Sequence, residues 1–218
     1  MEKAKKQNLC FLAGLLGIGI LLFWRCFYGL NTNDEAYYIG TVYRLWLGDG
    51  MLCDEWNPTQ QMCSFWLYPF YALFRLILGS NDGMILAFRL LYITFQLFIT
   101  CYLYKRLRVF GYKSLFPVFF YLLSTAFNIN SLSYNTMANA AFISLLVTLI
   151  TMEEADWKNC VILGIFASIL VMANPYVVFA YVAYGIASVF VTVWGRKKQK
   201  TVPVSISFNT YFRMSFTA

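Results

Sequence analysis

The chain has 218 residues, of which 60% are hydrophobic, 20% aromatic and only 12% charged. That is more apolar surface than one small soluble core can bury, which excludes an ordinary soluble globule and makes lipid the natural solvent for the surplus. The net charge of +7 comes from basic residues gathered in short segments between apolar runs, a pattern of membrane orientation rather than of a nucleic-acid-binding face.

Taken in chain order, Lys3, Lys5 and Lys6 precede an apolar run over 9–24. Arg25, Cys26, Phe27 and Tyr28 stand where a signal peptide would need small residues for cleavage, so the run reads as a retained anchor. In the loop that follows, 25–83, the residues Tyr37, Tyr38, Val42, Leu45 and Trp46 recur at helical spacing and predict an interfacial helix over 35–47. A second apolar stretch, 64–79, is short and carries Pro69 and Arg75, which suits a re-entrant or interfacial helix better than a crossing one.

Further spans are predicted at 84–104, 114–127, 136–152, 159–173 and 176–194, several of them near the lower limit of roughly 17 residues. The fold class expected is all-α, a polytopic membrane protein with one domain over 1–200. The less apolar 201–218 reads as a truncated C-terminal segment.

The basic groups Lys3/Lys5/Lys6, Lys105/Arg106/Arg108/Lys113, Lys158 and Arg196/Lys197/Lys198/Lys200 share one side only if 64–79 does not cross. The excess of basic residues on cytoplasmic segments then puts the N-terminus in the cytoplasm of a multi-pass cell-membrane protein. The loop 25–83, the polar turn 128–135 and the Asn174–Pro175 turn face outward.

Six cysteines without a histidine argue against a zinc site. Cys53 and Cys63 share the outer loop, where a disulfide and two unpaired apolar-type cysteines are both open readings. Acidic residues gather in the same loop as Asp34, Glu35, Asp49, Asp54 and Glu55. An acid at 34–35 is an ordinary helix-start residue, favoured by the helix dipole. It is also a carboxylate at an interface beside aromatic rings, where it can take a proton from a hydroxyl.

The order Asp34-Glu35 after the first span, Gly48, a proline-containing apolar helix ending at Leu78-Gly79, then Phe88-Arg89-Leu90 opening the next span resembles the GT-C class of membrane glycosyltransferases. Within that class it is most similar to the branch of protein O-mannosyltransferases and lipid A aminoarabinose transferases. The resemblance implies transfer of a sugar from a polyprenyl-phosphate donor to an acceptor on the outer face, with Asp34 as catalytic base and Glu35 its neighbour. A leaving phosphate requires positive charge, for which Arg89, Arg75 and Arg44 are the candidates. Tyr37, Tyr134 and Asn135 are candidates for sugar and acceptor hydroxyls.

Several branches carry a second acid in the outer turn, sometimes tied to a divalent metal. The turn 128–135 has none, so no metal is assigned, and Asp49, Asp54 or Glu55 would have to supply ligands if one were used. Relatives of this class are longer, and the chain is expected to be an N-terminal piece of such an enzyme. Two rival readings are a transporter or flippase of a lipid-linked sugar and a non-catalytic membrane subunit. Partners other than the lipid-linked donor and membrane lipids, including any oligomer, are not specified by the sequence.

Overall fold

The computed structural model describes residues 2–28, 34–51, 53–54, 58–125, 129–153 and 156–198, and among these every regular element is a helix. The expected segment 201–218 lies outside the described residues, as do Glu55 and the side chain of Asp34. The order is α1 (Glu2–Arg25), α2 (Asp34–Leu47), α3 (Pro58–Leu78), α4 (Met84–Leu107), a 3-10 segment (Arg108–Ser114), α5 (Leu115–Leu123), α6 (Tyr134–Thr151), α7 (Trp157–Ala173) and α8 (Val177–Lys198). Three stretches, Glu2–Arg25, Met84–Leu123 and Tyr134–Thr151, are long and apolar enough to cross a membrane, and Met62–Leu78, Trp157–Ala173 and Val177–Ala187 are shorter apolar helices.

Local chemistry sets several of the boundaries. Ser133 caps α6 by accepting from the Thr136 amide, while the Thr136 hydroxyl accepts from the Ser133 amide, a reciprocal capping box. Asp156 caps α7 by accepting from the Asn159 amide at 2.9 Å. Gly79 and Gly83, with φ of 67° and 77°, bracket the turn between α3 and α4, where a side chain would strain the left-handed backbone.

α1 and α4 run antiparallel with their ends matched. At one end the Gln7 side-chain amide donates to the Gly111 carbonyl at 2.9 Å, Tyr104 donates to Asn8 Oδ1 at 2.6 Å, and the Phe11 and Tyr104 rings stack. At the other end Arg89 Nη1 donates to the Cys26 carbonyl at 2.8 Å. The first of these ends carries Lys3, Lys5, Lys6, Lys105, Arg106, Arg108 and Lys113 and is called the basic end below.

At that basic end a polar chain ties three helices together. The Arg106 guanidinium donates to Tyr102 Oη and to Asn159 Oδ1, Tyr102 Oη meets Thr148 Oγ1, and Thr148 Oγ1 donates to the Ser144 carbonyl. These contacts make α6 parallel to α4 and α7 antiparallel to both. The segment between α4 and α6 must therefore carry the chain back to the far end.

Here the structure differs from the expected span over 114–127. α5 has nine residues, about 13 Å of helix, which is half of what crossing requires. Ser124 leaves the helix with ψ of 123°, its hydroxyl turning back onto the Tyr121 carbonyl, a local bond that competes with helix continuation. α5 stops level with Gln96, in the middle of α4, and the rest of the return to Ile129 and Asn130 is not regular helix among the described residues.

α2 and α3 lie across the end of the bundle opposite the basic end. Glu35, at the start of α2, touches Arg89, while Trp46, about 16 Å further along the helix, has its ring 6.1 Å from that of Tyr71. The Tyr71 ring in turn lies 6.5 Å from that of Phe88, the neighbour of Arg89. Both ends of α2 thus meet the same level of α4, so its axis runs over the bundle end rather than down it. α3 starts at Pro58, earlier than the expected 64, and rests on the first turn of α6 through Cys63 Sγ and Met137 Sδ, 3.3 Å apart.

Candidate functional site

Four segments meet at one buried charge pair. The Glu35 carboxylate takes the Arg89 guanidinium on Oε2, at 3.0 Å from Nε and 2.6 Å from Nη2, and its Oε1 accepts from the Asn130 backbone amide at 2.9 Å. Arg89 completes the set on the Cys26 carbonyl. Glu35 is 1% exposed and Arg89 4%, so both charges have left solvent. That desolvation costs several kcal/mol per ion, and only fork-like geometry with the remaining lone pairs satisfied offsets it.

The elements deliver these groups for local reasons. Glu35 stands in the first turn of α2, where an acid suits the helix dipole. Arg89 stands near the start of α4, and Asn130 precedes the capped start of α6. Burial pushes the Cys26 thiol up from its ordinary range; Arg89 opposes this shift and Glu35 adds to it.

Aromatic rings extend the cluster. Tyr38 is buried, with the Tyr134 ring edge-on at 6.0 Å and the exposed Tyr37 ring at 6.2 Å. Asn135 is half-buried beside Tyr134 in the first turn of α6. Of the residues singled out in the sequence, Glu35, Arg89, Tyr37 and Tyr134 therefore share one region, and the backbone of Asp34 opens α2 next to it.

The three arginines do not converge. Arg44 pairs with Asp49, and the Arg75 guanidinium donates to Asn81 Oδ1 at 3.3 Å; both lie toward the far end of α2, about 13 Å of helix from Glu35. The acids of the segment after α2 are likewise dispersed: Asp49 is engaged by Arg44, and Asp54 accepts from the Gly50 amide. Among the described residues no three His, Cys, Asp or Glu side chains gather as metal ligands. Cys53 is exposed and Cys63 buried on α3, and the two are not bridged.

Beside the cluster, under α3, an apolar groove of about 410 Å³ runs between Trp66, Phe70, Leu91, Phe98, Met137 and Ile169. Sequence reasoning missed the Asn130 amide, the Cys26 carbonyl and the groove, because backbone groups and tertiary surfaces leave no mark in residue spacing. Comparison with protein-family models, with curated protein sequences and with solved structures found no match.

Proposed function

We propose that the chain is the membrane module of a glycosyltransferase that moves a sugar from a polyprenyl-phosphate carrier to an acceptor on the extracytoplasmic face. In this reading α1, α4, α5 with the segment after it, α6, α7 and α8 make six crossings, and the basic end faces the cytoplasm. The observation that carries it is the Glu35–Arg89 pair, which holds the start of α2, and so Asp34, at the end opposite the basic clusters.

Asp34 is the general base. It takes the proton of the acceptor hydroxyl as that oxygen attacks the anomeric carbon; the bond from that carbon to the phosphate oxygen breaks, its electron pair leaving with the polyprenyl phosphate, and the configuration inverts. Tyr37, Tyr134 and Asn135 bind hydroxyls of sugar or acceptor, and the apolar groove under α3 takes part of the isoprenoid chain.

The test is the full chain in lipid with a radiolabelled polyprenyl-phosphate sugar, following release of the lipid phosphate. Asp34→Asn lowers release by about a hundredfold or more, the usual scale for loss of a general base, with membrane insertion intact. Unchanged release retires the assignment. One observation favours a second reading, a flippase of the same lipid: α5 is a half-length helix that Ser124 leaves in extended conformation, and interrupted helices are a feature of transporters. A flippase moves the labelled lipid between leaflets without cleaving it, and Asp34→Asn leaves that movement in place.

A further inference from the structure

Glu35 and Arg89 were read from sequence as a catalytic neighbour and a phosphate ligand, yet each is already spent. Arg89 gives Nε and Nη2 to one carboxylate oxygen and Nη1 to the end of α1. Glu35 gives its other oxygen to the backbone that leads into α6. At 1% and 4% exposure neither presents a polar surface to a substrate.

We propose that Glu35 and Arg89 are a positioning pair: a charge-neutral junction that fixes α1, α2, α4 and the Asn130 segment relative to one another and thereby sets the place of Asp34. This rests on the glycosyltransferase reading for its link to activity, but the junction itself stands on the contacts. The physical core is charge balance. Removing one partner leaves the other ionised and buried without its counter-charge, whereas removing both leaves neutral groups that can remain packed. A reacting carboxylate has no such symmetry, since its loss cannot be repaired by a second loss.

Three variants of the full chain in lipid decide it: Glu35→Gln, Arg89→Gln and the double. Arg89→Gln lowers kcat about tenfold or more while KM for the polyprenyl-phosphate sugar stays within about twofold, the signature of a displaced base rather than a lost ligand. Cys26, buried in the parent, becomes reactive to maleimide in Arg89→Gln, as read by peptide mass mapping with exposed Cys53 as the internal reference. The double variant regains at least about threefold of the lost kcat and shields Cys26 again.

A double variant with Cys26 shielded but no activity regained makes Glu35 a reacting carboxylate and overturns the proposal. So does an Arg89→Gln that raises KM about tenfold at unchanged kcat, which would mark a phosphate ligand. Cys26 labelling that does not move in Arg89→Gln overturns it as well. If the parent chain transfers no sugar, the functional reading fails by itself, and the labelling pattern still decides whether the pair forms the junction.

Discussion

Gln96 donates from its side-chain amide to the carbonyls of Leu122 and Ser124, both at 3.1 Å, and so closes the open end of α5 from the middle of α4. A helix that stops beside the middle of its neighbour leaves carbonyls that apolar surroundings cannot satisfy. Gln96, 2% exposed, supplies the missing donors.

Replacing that amide by a hydrocarbon should expose the requirement directly. Gln96→Leu keeps the bulk but strands two carbonyls, for a loss of about 2 kcal/mol or more, seen as a lower melting temperature in detergent. A melting temperature equal to that of the parent would mean the carbonyls find other donors.

The approach of α1 to α5 gives a sharper contrast. A β-carbon at Gly14 would overlap the ring of Phe119, which itself stacks on buried Phe11, whereas one at Gly17 meets nothing. Gly14→Ala should therefore destabilise by about 1–3 kcal/mol through overpacking. Gly17→Ala should be neutral or stabilise by up to about 1 kcal/mol through helix propensity. Equal melting temperatures for the two variants would refute the packing shown here.

Orientation can be read from labelling in intact cells. Asp82 is exposed at the end where Arg89 meets Cys26, and Lys113 is exposed where Gln7 meets Gly111. An impermeant maleimide should label Asp82→Cys without permeabilisation and Lys113→Cys only after it, with native Cys53 following the first. Labelling of both from the same side would break the antiparallel crossing of α1 and α4.

The Cys26 thiol provides a pH test. Its pKa is raised by burial, so the thiolate appears only above the ordinary range of about 8.5. Alkylation of Cys26 in the folded protein should rise at higher pH than in the unfolded chain. The sign for stability follows: the folded state holds this proton more tightly, so the contribution is full below the unfolded pKa and fades as pH climbs through the folded one. Coincident alkylation profiles in the two states would contradict the burial.

Much of the helix inventory was legible because apolar runs bounded by charge and proline are a length signal: α4, α6 and α7 begin within two residues of the sequence reading. The stop of α5 was not. The run from Leu115 to Phe127 is apolar apart from Ser124 and Thr125, an interruption too brief to mark an end by spacing, and what ends the helix is the Ser124 hydroxyl together with a side chain on another helix. The pairing of Glu35 with Arg89 was hidden for a related reason. The two are 54 positions apart, and spacing at that range carries no contact information. Each had been noticed alone, as an acid near a first turn and a cation near a helix start, and their mutual neutralisation changes what each can do.

The string from Arg106 through Tyr102 and Thr148 to the Ser144 carbonyl has a fixed polarity. A guanidinium can only give, so Tyr102 must hand its own hydrogen to Thr148, which hands its hydrogen to a carbonyl that can pass nothing on. With every hydrogen pointing the same way and a permanently charged group at the head, the string cannot reverse without breaking. It works as a rivet between α4 and α6.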